Sequence, residues 1–285
     1  MQITYILNIE MNKFFISIGR FSGEKERIYN TYLSPRNKQF CNLHNIKYIS
    51  VDNSIKLNLA EIYNHHYIRF WIIKQALDSG KIKDGDIVYH YDADIFIAKL
   101  DKCIEPKKSF TYAIDSGNTH IAGMFCMIIN DFTRKLIDLY LNIENVEKAK
   151  RILVYNEHNK REEPMFAHDQ YMFYHYAGIK PHSWESFWDL PHRGFHSCVT
   201  PLTEFSIEEL EDNIEILPTP WNVTHLVEET GDNGKPNTYD INRCKKEDVI
   251  NRHFAGGQTW NAEEWTKFVH SYDNELKHEE KYNGV

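Results

Sequence analysis

The first half of the chain alternates short apolar runs with longer stretches of helical period. Residues 12–19, NKFFISIG, predict a buried strand, and the polar stretch from about Glu24 to His44 is helix-compatible. Residues 46–52, IKYISVD, alternate apolar and polar and predict a second strand ending in Asp52. Over 58–78, Ile62, Tyr67, Phe70, Trp71, Ile73, Ala76 and Leu77 form the broad apolar face of a helix. A turn-rich link, SGKIKDGD (79–86), leads into the apolar run IVYHYDADIFI (87–97), read as a buried strand that ends near its two aspartates. SFTYAID (109–115) and HIAGMFCMII (120–129) predict further strands, and DFTRKLIDLYLNI (131–143) a helix with Asp131 as N-cap. The second half is less regular. Residues 165–178 and 262–277 look helical, and 214–220 and 248–256 look like short strands.

Alternating strands and helices predict an α/β fold, with a mostly parallel central sheet flanked by helices in a single domain. Such sheets take ligands outside the carboxyl ends of their strands. Asp92 and Asp94 fall at such a place, inside an apolar run. Two carboxylates one residue apart on an extended chain share a face. They repel, and one is forced toward its neutral form unless a cation lies between them. Hard oxygen ligands suit Mg²⁺ or Mn²⁺, ions that commonly keep part of their shell for water and phosphate.

Composition narrows the class. The 285 residues carry a net charge of −8 without a Lys/Arg block, which argues against nucleic acid as a partner. Five cysteines include no CxxC pair, so reduced thiols are expected. Neither a signal peptide nor an apolar run of roughly 18 residues is visible, so a cytoplasmic protein with no transmembrane segment is expected. Aromatic residues make up 14% and are assigned mainly to the core. The NVT triplet at Asn222 reads as chance, and LPTPWNV (217–223) as structural.

With four other stretches, the Asp-x-Asp run resembles the GT-A (Rossmann-like) fold, metal-dependent (DxD) retaining glycosyltransferases. The likeness is greatest to the groups containing glycogenin, the lipopolysaccharide galactosyltransferases and the α-galactosyl/α-xylosyltransferases. HHYIRFWIIKQAL (65–77) then supplies a basic residue for the donor, Arg69 first and Lys74 second. DSGNTHIAGMFCMIIND (115–131) places Ala122 and Gly123 against the donor sugar. FAHDQYMF (166–173) places Asp169 and Gln170 at the reacting carbon. VINRHFAGGQTW (249–260) supplies His253 as third metal ligand beside Asp92 and Asp94, with Gly256 and Gly257 near the diphosphate. The family's Lys-Pro-Trp is here Gln258-Thr259-Trp260, so Arg252, Arg69 or a residue elsewhere would stand in for the lysine.

The resemblance implies a hexosyl- or pentosyltransferase of the EC 2.4 class in glycan biosynthesis. It would move sugar from a nucleoside-diphosphate donor, a UDP-sugar, to a hydroxyl of a glycan or glycoconjugate, with Mn²⁺ or Mg²⁺ and retention of configuration. An inverting enzyme would need a base, for which Asp169 or His168 is the candidate. Residues 1–115 would form the nucleotide-binding half, which carries the DxD, and 116–285 the acceptor-binding half. Asp52 would meet the base or ribose. Trp184, Trp188 and His192 of HSWESFWDLPHRGFHS (182–197) would form an acceptor platform. Two alternatives stand beside this. One is a haloacid-dehalogenase-like phosphohydrolase, although Ile95, Phe96 and Ile97 after Asp94 do not suit it. The other is a non-catalytic sugar-nucleotide or glycan-binding module.

Overall fold

The computed structural model describes residues 11–57, 67–116, 120–150, 153–156, 161–164, 176, 204–229, 242–254, 263 and 265–272. In chain order its strands are β1 (Lys13–Ile18), β2 (Lys47–Val51), β3 (Ile87–Tyr91), β4 (Ile95–Ile97), β5 (Phe110–Ile114), β6 (His120–Ile128), β7 (Leu153–Asn156), β8 (Arg161–Pro164), β9 (Ile214–Leu217) and β10 (Asn251–His253). The helices are α1 (Glu24–Ile28), α2 (Ser34–Leu43), α3 (Ile68–Asp78), α4 (Asp131–Tyr140), α5 (Ile143–Lys150) and α6 (Ile207–Asn213). A wider π-helical turn at Tyr29–Leu33 joins α1 to α2.

The central sheet runs β2-β1-β3-β6-β5-β9. The pairs β1/β2, β1/β3 and β5/β9 are parallel, while β6 runs antiparallel to both neighbours. The expected α/β architecture is therefore present, its sheet mostly parallel and flanked by helices. Strand alternation sorts the core into two layers. Phe14, Ile16, Val88, Phe125 and Met127 pack on one face with Phe70, Ile73 and Leu77 of α3 and with Leu136, Ile137 and Tyr140 of α4. There Phe70 stacks on Tyr140 at 3.9 Å between ring centroids. Phe15, Tyr89 and Cys126 face the other way, against Phe40 and Cys41 of α2. Both faces are covered, so β3 is buried at every position.

Two local readings change. The run 87–97 is not one strand. β3 ends at Tyr91, opposite Met124 of β6, and the chain then turns through Asp92, Ala93 and Asp94. β4 continues in a separate two-stranded sheet, antiparallel to β10. Apolarity on both sides of the aspartates reflects burial in different places: Ile95 and Ile97 join the layer around Phe15, while Phe96 enters a third core with Ile28, Leu33, Trp265 and Val269. The second change is at α4, whose N-cap is Asn130 rather than Asp131. Asn130 is extended, accepts from Thr133 N at 3.1 Å and completes a reciprocal box with the Thr133 hydroxyl. Asp131 lies one position inside, where its charge complements the helix dipole.

Candidate metal centre and cleft

The turn after β3 is held from both sides. Asp92 N donates to Gly123 O of β6 at 2.7 Å, and Phe254 N donates to Asp94 O at 3.0 Å. The β4–β10 register sets His253 opposite Ile95, one residue beyond Asp94. Residues some 160 positions apart thus converge. One ligand atom each from Asp92, Asp94 and His253 lies within 4.8 Å of the others. Two carboxylate oxygens and one imidazole nitrogen at that spacing suit a hard or borderline divalent cation, so the donor set fits Mn²⁺ or Mg²⁺.

The two sides of this cluster differ electrically. Burial alone would raise the Asp92 carboxyl, but the Arg69 guanidinium and His90 outweigh it and hold that group well below the usual carboxylate range. Arg69, itself buried, reaches Asp92 Oδ1 with Nη1 at 3.0 Å. His90 Nε2 lies 3.2 Å from the same oxygen, and its Nδ1 lies 3.0 Å from Ile16 O. Burial first, and the Arg69 charge second, lower the His90 pKa. His253 behaves oppositely. Burial would lower it, yet the charge and hydrogen bond of Asp94, then the charges of Asp92 and Asp115, raise it. Its Nε2 is 3.4 Å from Asp94 Oδ1, and its Nδ1 is 2.9 Å from Asn222 Oδ1.

A cleft of about 230 Å³ opens beside the cluster, where Ile18 ends β1 and Asp92 follows β3. Arg20, Phe21, Lys25, Arg69, Asp92 and Asp94 contribute to its walls. It lies at the carboxyl ends of two neighbouring parallel strands, the expected position for a ligand in such a sheet. Arg20 ties down the segment after β2, donating through Nη1 to Asp52 O at 2.7 Å and Ile55 O at 2.6 Å.

Of the other candidate residues named from the sequence, Gly123 meets the cluster through its backbone and the remaining described ones lie apart from it. The Asp52 carboxylate accepts from the amide and hydroxyl of Ser54 at 2.9 and 2.5 Å, capping its own turn. Lys74 pairs with Asp78 and Asp138 at 3.2 and 3.3 Å, on the other side of α3 from Arg69. Arg252 is clasped by both oxygens of Glu229 at 2.7 and 2.9 Å. Gly123 contributes its carbonyl to the aspartate turn, next to Ala122 in β6. Asp169, Gln170, Gly256, Gly257, Trp184, Trp188, His192 and His168 lie outside the described residues. Sequence reasoning missed Arg20, Phe21 and Lys25. Their signal was positional, a basic and aromatic cluster directly after the first strand. It also missed His90, whose signal was its place two residues before Asp92 in the same apolar run, and Asn222, which no spacing links to the aspartates.

No family model matches the chain, and no curated protein does. Among solved structures it is similar to a glycosyltransferase involved in glycosylation of the major capsid of PBCV-1, at 15% identity and a TM-score of 0.49, over 91% of this chain and 99% of that one. It is also similar to Drosophila β-1,4-galactosyltransferase 7 in a complex with manganese, UDP-Gal and xylobiose, at 10% identity and a TM-score of 0.33, over 66% and 69% of the two chains. Among the described residues, no helix is long and apolar enough to cross a membrane.

Proposed function

We propose that the protein is a metal-dependent glycosyltransferase that moves a hexosyl or pentosyl group from a UDP-sugar to a hydroxyl of a glycan or glycoconjugate, with retention of configuration. The observation that carries this reading is the convergence of Asp92, Asp94 and His253 beside a cleft walled by Arg20, Lys25 and Arg69. Three anionic or imidazole donors next to three cations suit a diphosphate bridged to the protein by a divalent ion. Bound there, Mn²⁺ or Mg²⁺ supplies charge stabilisation for the departing diphosphate.

The chain's own residues divide the remaining work. Asp92, Asp94 and His253 hold the cation. Arg69 keeps Asp92 ionised and oriented, and places a fixed positive charge at the cleft. Arg20 orders the segment after β2 that borders the donor. Both arginines pair with a carboxylate, but Arg69 is a residue of the cleft wall and Arg252 is not, so Arg69 is the better stand-in for the family's missing lysine. Asp169 and Gln170 are assigned to the reacting carbon on the sequence resemblance. The phosphohydrolase alternative asks Asp92 to act as a nucleophile. Its contacts with Arg69 and His90 favour a held ligand instead.

The test is direct. The protein is incubated with Mn²⁺ and a panel of UDP- and GDP-sugars, with and without glycan acceptors, and nucleoside diphosphate is measured. Release that requires the metal and vanishes in Asp94→Ala and His253→Ala is the expected result. Metal-independent turnover, or phosphate release from simple phosphomonoesters, would sink the reading.

A further inference from the structure

Asn222 has no role in the cleft as described so far, yet its side chain is fully buried against the ring of His253. It follows a single 3₁₀ turn (Thr219–Trp221), and its amide donates to Thr219 O at 2.7 Å. This segment is stapled to β10 by several bonds. Val223 N donates to Asn251 O at 3.0 Å, His253 N to Val223 O at 2.8 Å, and Ile250 N to Pro220 O at 2.8 Å. Asn251 Nδ2 adds a bond to Trp221 O at 3.0 Å. The backbone therefore fixes the two side chains relative to each other. Among the described residues, Asn222 makes one side-chain hydrogen bond, between Oδ1 and His253 Nδ1 at 2.9 Å, and its buried Nδ2 has no partner there.

That contact has a chemical consequence. A carbonyl oxygen only accepts, so it requires an N–H at Nδ1. An imidazole binds a cation through a lone pair, and the nitrogen that faces Asp94 is Nε2. The lone pair is available there only while the ring's proton stays on Nδ1. We propose that Asn222 is the positioning residue that holds the His253 proton on Nδ1, and so aims the Nε2 lone pair at a cation shared with Asp92 and Asp94. The proposal rests on the metal-binding reading of the cluster. It adds a determinant that neither residue type nor spacing disclosed.

Two measurements test it on the full chain. Histidine ¹⁵N shifts of the metal-free wild type report which nitrogen of neutral His253 carries the proton, with Nδ1 expected because its acceptor, Asn222 Oδ1, lies at 2.9 Å, whereas Asp94 Oδ1 stands farther from Nε2, at 3.4 Å. Mn²⁺ titration followed by the electron-spin signal of the free ion compares wild type, Asn222→Ala and Asn222→Asp. Loss of an outer partner of a ligating histidine weakens metal binding by roughly 10–100-fold, and that loss is expected for Asn222→Ala. Asn222→Asp keeps an acceptor oxygen in place and should bind near wild-type affinity. A proton on Nε2 in the wild type would overturn the proposal. So would unchanged affinity in Asn222→Ala, or an equal loss in both variants, which a merely structural role would give. If Asn222→Ala does not fold, the wild-type shifts and Asn222→Asp carry the test. Wild-type protein that binds no Mn²⁺ but keeps its proton on Nδ1 would remove the metal reading while supporting the hold of Asn222 on the ring.

Discussion

The Asp92 side and the His253 side of the cluster solve the same electrostatic problem in different ways. Asp92 leaves the central sheet and meets a permanent, buried cation, Arg69, while its own carboxylate stays partly exposed to the cleft. His253 leaves a two-stranded sheet, meets acids in front and a neutral amide behind, and can gain or lose its own charge. One side is compensated whatever is bound. The other is compensated by a proton until something better arrives. On the proposed reading, a divalent cation bound here would compete with the proton on His253 and leave Arg69 in place.

The largest expected effect comes from removing the group that both sides share. Asp94→Ala takes away a candidate ligand and the acid nearest His253. Metal-dependent turnover should fall by about 10³-fold, on the scale of removing a direct stabiliser of developing charge. The change should be in kcat, measured at saturating Mn²⁺ with a donor that the wild type turns over. Retention of activity would break the comparison at its centre.

Next is Arg69→Met. It leaves the Asp92 carboxylate without its permanent partner. Breaking such a pair costs on the order of 3 kcal/mol, and the partial exposure of Asp92 puts this case at the low end of the range. Denaturant unfolding of metal-free protein measures the loss. Added Mn²⁺ should restore more stability to Arg69→Met than it gives the wild type, because the ion supplies the missing positive charge. Equal gains would mean that Asp92 is not a ligand.

These contrasts also show what the sequence could disclose. Continuous apolar runs located β1, β5 and β6, which are buried on both faces, while alternation located β2 and the helical period the described part of α3. The break after Tyr91 was hidden, since both flanking segments are buried and apolarity does not say in which core. The three clustered side chains could be named from residue types and their neighbours. Their support was named only in part: Arg69 was singled out as a basic residue for the donor and not as the partner of Asp92, His90 passed as one more position of a buried strand, and Asn222 reaches His253 through a stapled 3₁₀ turn that leaves no periodic trace. Asp131 illustrates a smaller limit. Asp and Asn both cap helices, and only the extended backbone of Asn130 decides between adjacent positions.

The pH dependence separates the two sides further. The folded pKa of His253 is raised, so in metal-free protein its charge stabilises the fold fully below about 6.5, the unfolded value. That contribution is lost as pH rises through the raised folded value. Metal affinity runs the other way, because the ion needs the Nε2 lone pair. Mn²⁺ affinity should be level above the folded pKa and fall by about tenfold per pH unit below it. Calorimetric titration in buffers across that range checks both the plateau and the slope. An affinity independent of pH would mean that His253 is not the competing base.

The smallest expected effect separates two candidates on one helix. Arg69 and Lys74 are five residues apart on α3, which places them roughly 140° apart around its axis. Arg69 faces the cluster, whereas Lys74 lies toward solvent between Asp78 and Asp138. Its pKa is raised, first by the hydrogen bond to Asp78. Exposed pairs of this kind contribute about 0–1 kcal/mol, since water screens them and ordering the side chains has an entropic cost. Lys74→Met should therefore shift unfolding by less than about 1 kcal/mol and leave Mn²⁺ affinity unchanged. An added salt series should erase even that difference and reduce the Arg69→Met deficit by a smaller fraction, because Arg69 is buried and Asp92 is only partly exposed. If Lys74→Met weakened Mn²⁺ or donor binding as Arg69→Met does, the distinction between a buried compensating cation and a surface pair on the same helix would be wrong.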